Sequence, residues 1–370
     1  MKILNCIPTL DCGGAERQLS YLAPELARRG HEVHVAYLRG GINLERLQAG
    51  KVSLHQVAAR SNYDPRIFWG ILKLARKIRP DLIQTWVFPQ MEILGGLAAL
   101  VQQVPWVLRE SSNKGVRPKN WKNTLRKWAG HKARAVIANS CGGEESWQEF
   151  KGPSFVIPNA LPLDEIERTV PHFPETLGEE TDVKMILFVG RLEDQHKNVQ
   201  NLVRALARPV QEGPIRAVLC GDGPDRGKVA ALIKEHGVEG KIFLPGVVNN
   251  VWALMKRADV FVSVSHHEGR PNTVLEAMAC GCPLVVSDIP AHREFLDENS
   301  ALLVNPRDVR EIAEAIEKTL EAPEVARARA LIAKEKVSPW TIPAMASQYE
   351  GVYREVLRQN NQGPCSYVKK

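Results

Sequence analysis

Two glutamates, eight residues apart, flank the part of this sequence best suited to chemistry. Glu268 lies in a polar loop, and Glu276 follows in a segment that begins at Pro271. Proline is favoured at the start of a helix, where the first backbone N–H groups have no acceptor inside the helix. Those N–H groups and the positive end of the helix dipole suit a phosphate. The residues therefore predict a diphosphate at Asn272 and Thr273, with both glutamates accepting hydrogen bonds from hydroxyls on either side of it.

The elements that position these groups can be predicted from the same stretch. The apolar run Val260–Val264 is typical of a buried strand, and Asn272–Ala279 is a helix that ends before Gly281. A second apolar strand follows at Pro283–Ser287. The order of strand, loop, helix and strand places the loop and the helix start at the carboxyl edge of a parallel sheet.

The motif that starts at Glu268, Glu-Gly-Arg-Pro-Asn-x-x-x-Glu-Ala-Met-Ala-x-Gly-x-Pro, resembles the signature of the retaining glycosyltransferases of family 4. These enzymes have the GT-B architecture. The resemblance implies that Glu268 contacts the transferred sugar and Glu276 the ribose of the nucleotide. The further donor-binding residues that it implies in this segment are Gly269, Arg270, Pro271, Asn272 and Thr273. Arg270 departs from the family, which commonly has an aromatic or apolar residue at this position.

Two cations precede this segment in the chain. Gly190-Arg191-Leu192 follows a predicted strand at 183–189, and Lys197 precedes a predicted helix. No Asp-x-Asp occurs in the sequence, so a leaving diphosphate would be neutralised by fixed cations and N–H groups rather than by a metal. Arg191 and Lys197 are the candidates, and the alternative is a surface ion pair with Glu193 or Asp194. The pattern resembles the family's Gly-Arg-Leu-x-x-x-Lys, with one residue added.

A glycine-rich turn also follows the first predicted strand. Gly13 and Gly14 open a helix, and glycines there let the backbone approach a phosphate closely. The turn resembles the N-terminal loop of family 4, which lies under the donor diphosphate and near the acceptor. This resemblance makes both glycines donor-binding candidates and Glu16 an acceptor-side candidate. The alternative is a tight turn with no ligand.

Two more turns of this kind lie in the second half of the chain. Gly246 and Val247 follow a predicted strand, at a place where family members bind the nucleotide base on backbone groups. Gly221-Asp222-Gly223 follows another strand but lacks the full dinucleotide-binding spacing. A nicotinamide-dependent (NAD(P)) oxidoreductase is therefore kept only as an alternative.

Strands and helices alternate along most of the 370 residues, which predicts an α/β protein with parallel sheets covered on both faces. We expect two Rossmann-like, doubly wound domains, at 1–163 and 183–340, joined by a linker at 164–182 that is rich in proline and acids. The resemblance implies a GT-B arrangement in which the domains face a central cleft. It also implies that the first binds the acceptor, that the second binds the nucleotide sugar, and that a C-terminal helix at about 341–360 returns to the first domain.

The carboxyl ends of strands in the first domain supply the remaining acceptor-side candidates, which are Trp86, Arg109, Glu110 and Ser111. Many family members carry a histidine near this place that touches the sugar, and none is present here. Arg109 and Glu110 are the nearest polar residues. For Arg109, a structural ion pair is the alternative.

Positive charge is concentrated in the first half of the chain. Residues 1–160 hold 23 Lys and Arg against 12 Asp and Glu, and 112–143 contain eight basic residues and no acidic one. Tryptophans at helical spacing lie among these cations, as on helices that rest on anionic lipid. The membrane-face candidates are Lys119, Trp121, Lys122, Arg126, Lys127 and Trp128. The alternative is a surface helix that docks both tryptophans on the core.

Other features bound the cellular setting. No signal peptide is visible, and the longest apolar run, Ile93–Val101, is too short to span a bilayer. Seven scattered cysteines favour reduced thiols in the cytoplasm. No nucleic-acid-binding motif accompanies the basic stretch. We therefore expect a cytoplasmic protein, peripheral on the inner face of the cell membrane.

Together, the motifs and the resemblance imply transfer of a hexosyl or N-acetylhexosaminyl group, with retention, from a nucleotide diphosphate sugar to an acceptor hydroxyl. UDP is the favoured nucleotide, and no metal or other cofactor is expected. The basic tryptophan segment favours a lipid-linked saccharide as acceptor, in the synthesis of a cell-surface polysaccharide or glycolipid. A soluble small-molecule acceptor is the alternative, and the oligomeric state is left open.

Overall fold

The computed structural model describes residues 1–11, 13–61, 64–86, 89–113, 120–172 and 183–362, with the backbone alone at 89 and 361–362. The chain divides into two compact units. Unit 1 comprises residues 1–160 with the segment from Trp340 onward, and unit 2 comprises Leu161–Pro339. Each unit is built on one parallel sheet, so the predicted α/β class is confirmed.

Unit 1 contains a seven-stranded sheet in which every described strand is parallel to its neighbours. The strand order is β3-β2-β1-β4-β5-β6-β7, the order of a Rossmann fold with one added strand. The strands are β1 Lys2–Cys6, β2 Glu32–Tyr37, β3 Ser53–Gln56, β4 Leu82–Trp86, β5 Trp106–Glu110, β6 Ala135–Ala138 and β7 Ser154–Val156.

Helices cover both faces of this sheet. The helices along the chain are α1 Gly14–Arg28, α2 Leu44–Ala49, α3 Arg66–Ile78, α4 Pro89–Val101, α5 Trp121–Gly130 and α6 Cys141–Glu145. One core layer joins α1 and α2 to one face of the sheet, and a second layer joins α3, α4 and α5 to the other. In α4, Gly96 faces the Trp106 ring so closely that a Cβ would lie 2.5 Å from it, which lets the helix approach the sheet.

Unit 2 contains a six-stranded parallel sheet in the order β10-β9-β8-β11-β12-β13. This is the doubly wound order of a Rossmann fold, in which the chain reverses direction across the sheet between β8 and β11. The strands are β8 Lys184–Val189, β9 Ile215–Cys220, β10 Ile242–Gly246, β11 Val260–Ser263, β12 Leu284–Ser287 and β13 Leu302–Val304. They alternate with helices, as the sequence predicts.

The helices of unit 2 are α7 Leu163–Arg168, α8 Asp194–Lys197, α9 Val199–Glu212, α10 Arg226–Glu235, α11 Val251–Arg257, α12 Asn272–Ala279, α13 Pro290–Arg293, α14 Val309–Glu321 and α15 Pro323–Val337. α9, α10 and α14 pack on one face of the sheet around a shared apolar core. The bounds of α12 agree with those predicted from the sequence.

The structure corrects the predicted start of the linker at residue 164. α7 begins at Leu163 and belongs to unit 2, where its one buried apolar residue, Ile166, anchors it. Lys256 Nζ also donates to the carbonyl oxygens of Glu167 and Thr169, at 2.7 and 2.8 Å. Two apolar residues in a six-residue helix, Leu163 and Ile166, are too few for a clear periodic signal, so the sequence does not predict this helix. Residues 173–182 of the predicted linker lie outside the described residues.

The C-terminal helix, α16 Ile342–Gln362, belongs to unit 1, as the resemblance implied. Two of its tyrosines are buried against the sheet. Tyr349 stacks on the Trp86 ring with centroids 6.2 Å apart, and its hydroxyl accepts a hydrogen bond from Arg109 Nη1 at 2.6 Å. The hydroxyl of Tyr353 donates to Gln84 Oε1. The helix therefore forms part of the core of unit 1.

A buried ion network attaches α5 to unit 1 and corrects one membrane-face candidate. The Arg126 side chain is 1% exposed. It forms one ion pair with Glu92 of α4 and a second with Glu110 of β5, in which Nη2 lies 2.9 Å from Oε2. Its guanidinium also lies over the Trp147 ring. Burial lowers the pKa of Arg126, but the charges of the two glutamates raise it by more than burial lowers it. The net pKa is therefore above the usual arginine value, and the residue stays cationic. Arg126 is a structural residue and does not face solvent or lipid.

Within the described part of the chain, no helix has both the length and the apolar character that crossing a bilayer requires.

The network predicts a large difference between two neighbouring basic residues of α5. Arg126→Ala leaves Glu92 and Glu110 buried without their cation, and we expect a loss of about 3 to 5 kcal/mol in the free energy of unfolding. Lys127→Ala removes an exposed cation and should change it by less than about 0.5 kcal/mol. Urea unfolding followed by circular dichroism compares the two. Equal stabilities for the two variants would contradict the structural role.

Candidate active site

The candidate site in unit 2 lies where the sheet order reverses. β8 pairs with β9 on one side and with β11 on the other. The loops after β8 and β11 therefore leave the same edge of the sheet side by side, which is where open α/β sheets bind ligands. The first loop leads into α8 and carries Arg191 and Lys197, and the second carries Glu268 and leads into α12.

An ion pair joins these two loops. Lys197 Nζ donates to Glu268 Oε1 at 2.6 Å, and the Ser265 hydroxyl donates to the same oxygen at 2.7 Å. The Glu268 side chain is 10% exposed and that of Lys197 is 22% exposed. Of the three predicted catalytic residues, Arg191, Lys197 and Glu268, the structure thus brings the last two together. Lys197 pairs with neither Glu193 nor Asp194 among the contacts described.

Three effects set the charge of Glu268. Burial raises its pKa, but the charge of Lys197 and the hydrogen bonds from Lys197 and Ser265 together outweigh burial and lower the pKa below its usual value. The carboxylate is therefore ionised at neutral pH and accepts hydrogen bonds only. Such a group can hold a sugar hydroxyl but cannot donate a proton to it.

Asn198 fixes the position of Lys197. It ends α8 and precedes α9 in the left-handed conformation, at φ 55°, which asparagine tolerates better than most residues. Its amide nitrogen donates to the carbonyl oxygens of Val264 and Pro306, at 3.0 and 2.6 Å. The loop after β8 is thereby attached to the loop after β11. The sequence analysis places Asn198 at the start of a predicted helix and gives it no role in the site, although asparagine is a signal for such a turn.

Further polar support lies behind Glu268. The Ser287 hydroxyl donates to the Ser265 carbonyl oxygen at 2.7 Å, and His292 Nδ1 lies 2.7 Å from the Ser287 carbonyl oxygen, to which it donates. His292 is fully buried, and burial lowers its pKa, which favours the neutral ring. Sequence analysis missed all three residues. Serines that end apolar strands at the carboxyl edge were the available signal.

The start of α12 has the form that an anion site requires. Pro271 is the residue before the helix, and its side chain forms no capping hydrogen bond. Helix geometry leaves the first N–H groups, at Asn272 and Thr273, without an intrahelical acceptor. Glu276 lies on the second turn and is 1% exposed. The predicted arrangement of Glu268, helix start and Glu276 is therefore present within one loop and helix of unit 2.

Arg270 fastens the loop between Glu268 and α12 to the neighbouring element. Its side chain is 5% exposed, its guanidinium lies over the Phe295 ring at 5.4 Å, and Nη1 is 3.8 Å from Glu294 Oε2. A stacked, buried arginine of this kind holds backbone in place. The departure from the family pattern thus has a structural consequence in this chain, because Arg270 and Gly269 precede the helix start directly.

Three glycine-containing loops pack against one another beside this site. Gly221 N–H donates to the Gly246 carbonyl oxygen at 2.7 Å, and a Cβ on Gly221, at φ 130°, would lie 1.9 Å from the Gly190 carbonyl oxygen. Only glycine fits this close approach. Loop packing therefore accounts for the Gly221-Asp222-Gly223 turn without a nicotinamide cofactor. Arg191 and Val247, in two of these loops, are exposed and available to a ligand.

The predicted candidates at the start of α1 lie together in unit 1. Gly13 precedes the helix, Gly14 begins it, and the Glu16 carboxylate lies so close to Gly13 that a Cβ there would be 2.1 Å from Glu16 Oε2. Burial raises the pKa of Glu16. Their roles toward donor and acceptor stay predictions.

Three acceptor-side candidates have structural partners inside unit 1. Trp86, Arg109 and Glu110 are each 1% exposed or less. Arg109 Nη2 donates to Asn159 Oδ1 at 2.8 Å, and its guanidinium lies over the Trp86 ring at 4.7 Å, so it serves the core and α16. Glu110 accepts from the Ser111 N–H at 3.0 Å and pairs with a buried arginine. Ser111 is half-buried and stays a candidate.

The membrane-face candidates other than Arg126 differ in how far their side chains are exposed. Trp121 and Trp128 are 69% and 64% exposed, which excludes the alternative that they dock on the core. Lys127 is exposed and Lys122 is half-buried. Lys119 lies outside the described residues.

The fold and the site now define a class. Two doubly wound units of this strand order are the GT-B architecture of glycosyltransferases. The crystal structure of Anabaena Alr3699/HepE in complex with UDP-glucose superposes with a TM-score of 0.83 and 19% identity, covering 96% of this chain and 100% of that one. Sucrose-phosphate synthase (tll1590) from Thermosynechococcus elongatus gives a TM-score of 0.78 and 21% identity, covering 97% and 99%.

Sequence comparison gives the family. Residues 12–165 match the model of Glycosyltransferase Family 4, and residues 170–336 match that of Glycosyl transferases group 1. The chain belongs to glycosyltransferase family 4. It is similar to the putative teichuronic acid biosynthesis glycosyltransferase TuaC of Bacillus subtilis (strain 168), at 31% identity over 68% of this chain.

A second relative matches nearly the whole chain. It is the GalNAc-alpha-(1->4)-GalNAc-alpha-(1->3)-diNAcBac-PP-undecaprenol alpha-1,4-N-acetyl-D-galactosaminyltransferase of Campylobacter jejuni subsp. jejuni serotype O:2 (strain ATCC 700819 / NCTC 11168). The identity is 25%, over 96% of this chain and 99% of the relative. The chain spans 64% of the length of TuaC and about two fifths of three other relatives.

The ion pair generates a prediction about the charge of Glu268. In the wild type the ionised carboxylate contributes stability above the ordinary glutamate pKa, and this contribution is lost as pH falls through the lower pKa of the folded state. Lys197→Met removes the main opposing charge, so burial should then raise the pKa of Glu268. Carbon-13 NMR of the side-chain carboxyl, assigned with Glu268→Gln, measures the titration. Lys197→Arg should keep the pKa low, and an unmoved midpoint in Lys197→Met would contradict the account.

The packing of the loops generates a second prediction. Gly221→Ala places a Cβ against the Gly190 carbonyl oxygen and strains the backbone, so the free energy of unfolding should fall by at least about 2 kcal/mol. Gly227→Ala is the control, because a Cβ at Gly227 meets nothing within 4 Å. Denaturant unfolding measures both. A Gly221→Ala variant as stable as Gly227→Ala would show that this approach is not required.

Proposed function

We propose that this chain is a retaining glycosyltransferase that moves a hexosyl or N-acetylhexosaminyl group from a nucleotide diphosphate sugar to an acceptor hydroxyl. One observation carries the proposal. The Lys197–Glu268 ion pair joins two loops at the switch point of the second sheet, and the loop that carries Glu268 leads to the start of α12 and to Glu276. Glu268, the N–H groups at the start of α12 and Glu276 match, in this order, the sugar, the diphosphate and the ribose of a nucleotide sugar. Lys197 adds a cation for the diphosphate.

The residues of unit 2 have separate roles in this proposal. Glu276 accepts hydrogen bonds from the ribose hydroxyls, and Glu268 accepts from the transferred sugar. The N–H groups at the start of α12 bind the diphosphate. Lys197 uses one of its three N–H donors on Glu268 and has others for a phosphate oxygen, and Arg191 is exposed nearby in the chain. These cations stabilise the charge that grows on the leaving group in the transition state.

The step needs no carboxylate nucleophile. The bond between the anomeric carbon and the diphosphate oxygen breaks, and its electron pair goes to the leaving nucleoside diphosphate. The acceptor oxygen forms the new bond on the same face of the sugar, and its proton passes to a phosphate oxygen of the leaving group. An ionised Glu268 fits this scheme, because it supports the positive charge that develops on the sugar and keeps no proton to lose.

Relatives support the choice of donor and acceptor. The crystal structures of HepE contain UDP or UDP-glucose, which favours UDP here. The Campylobacter jejuni relative is named for a saccharide linked through a diphosphate to undecaprenol, which favours a lipid-linked acceptor and the synthesis of a cell-surface polysaccharide or glycolipid. A relative named alpha-D-kanosaminyltransferase, from Streptomyces kanamyceticus, keeps a soluble acceptor as the second candidate.

We further propose that unit 1 binds the acceptor, with Glu16 and Ser111 as its contacts, and that the protein acts at the inner face of the cell membrane without a metal. Metal independence is proposed because fixed cations can stabilise the leaving diphosphate in place of a divalent ion. Transfer that continues in excess chelator, and is not raised by Mg²⁺ or Mn²⁺, is the expected result. A strict requirement for either ion would reject metal independence.

Two variants test the site. Glu276→Ala should weaken binding of the nucleotide sugar by about 10- to 100-fold, because one charge-assisted hydrogen bond is lost. Lys197→Ala should mainly lower kcat, by about 100- to 1000-fold, because its cation acts on the leaving group. Glu321→Ala, an exposed carboxylate on α14, is the control.

Binding is measured first by thermal shift against UDP, GDP, ADP and their sugars, since a ligand of the native state raises the melting temperature. The nucleotide that gives the largest shift is then used in kinetics. Unchanged kinetics in both site variants, or the absence of a shift with every nucleotide, would reject the proposed function.

A further inference from the structure

Three helices of unit 1 form one outer surface. α3, α4 and α5 pack side by side in chain order, and all three contribute to the same core layer on one face of the sheet. Ile71, Ala98 and Ala129 are among the residues that point inward. The exposed side chains of the three helices therefore face away from the sheet together. We call this the three-helix surface.

The outward side chains of the three-helix surface are strongly apolar. All three exposed tryptophans among the described residues lie here, together with apolar residues of α4 that belong to the apolar run Ile93–Val101. These residues are Trp69 of α3, Leu97, Leu100 and Val101 of α4, and Trp121 and Trp128 of α5. Trp69 is 63% exposed. Exposed apolar side chains on adjacent helices are typical of a surface that binds a partner.

Charge on the three-helix surface has one sign. α3 and α5 contain no acidic residue, and the one glutamate of α4, Glu92, is 1% exposed and paired with Arg126. Lys73, Arg76 and Lys77 of α3 and Lys127 of α5 are exposed. A partner that covers this surface must accept apolar side chains and neutralise cations together.

Exposed apolar residues elsewhere in the chain have different neighbours. On α15 of unit 2, Val325 and Leu331 are exposed, but the exposed carboxylates of Glu324 and Glu335 lie on the same helix. That mixture is ordinary for a solvated helix. The three-helix surface differs because the acids are missing from its exposed positions while three indole rings are present.

We propose that the three-helix surface binds an anionic lipid bilayer, with α4 as the apolar centre and the tryptophans and cations of α3 and α5 on either side of it. Indole rings favour the interface between headgroups and acyl chains, and Lys and Arg favour anionic headgroups. The inference extends the proposed function, on which it rests for the lipid-linked acceptor. It assigns membrane contact to α3 and α4, which lie outside the basic segment at 112–143.

Flotation of the full chain with vesicles tests the surface. Wild-type protein should float with phosphatidylcholine vesicles that contain phosphatidylglycerol, should float much less with phosphatidylcholine alone, and should be released by salt. The double variant Leu97→Ser, Leu100→Ser should lower partitioning by at least about tenfold, because two leucine side chains no longer enter the bilayer. Val325→Ser with Leu331→Ser, on α15, is the matched control and should float as the wild type does.

Three results would overturn the assignment: no flotation of the wild type with anionic vesicles, equal flotation of the α4 variant and the wild type, or an equal loss in the α15 control. Sedimentation of the protein alone tests a second copy of the chain as occupant, and a dimer that the α4 variant dissociates would also overturn it. Nucleotide thermal shifts of the same variants should equal the wild type. Because flotation uses no nucleotide, the two proposals can fail separately. A wild type that binds vesicles but no nucleotide would reject glycosyl transfer and leave the membrane assignment standing.

Discussion

The pairing of Lys197 with Glu268 is the interaction on which the candidate site depends. Neither residue could be placed in a largely buried position alone, because an uncompensated charge there is costly. The two lie 71 residues apart in the chain and meet because β8 and β11 are neighbours in the sheet. The doubly wound topology therefore creates the site, since another strand order would separate the cation from the carboxylate.

The parts of the site that could be predicted from sequence are those set by local rules. A proline at its start and a glycine after its end predict α12, and the predicted bounds agree with the structure. The identity of the partner of Lys197 is different. Nearby acids, Glu193 and Asp194, were the local alternatives, whereas the actual partner is fixed by strand pairing, which spacing along the chain does not encode.

Contacts between distant segments explain why Arg109, Glu110 and Arg126 have structural partners in unit 1. Arg109 and Glu110 end a strand at the carboxyl edge, as ligand-binding residues do, but the chain returns with α16 and covers Arg109 with Tyr349, 240 residues later. In the same way, Arg126 lies in a basic run, and its charged neighbours in the chain indicate a solvated side chain. Its two glutamate partners come from α4 and β5, which lie outside that run. Long-range partners of charged residues cannot be predicted from their own segment.

The buried network of Arg126 also determines what α5 presents to its surroundings. A helix needs an inward side, and in α5 that side is held by a charged residue instead of by its largest apolar ones. Two carboxylates and the face of the Trp147 ring offset the cost of burying the guanidinium. With attachment provided in this way, Trp121 and Trp128 are not needed for the core and remain exposed. Since exposed indoles contribute little to folding, their presence on a helix anchored by other means favours a role in binding.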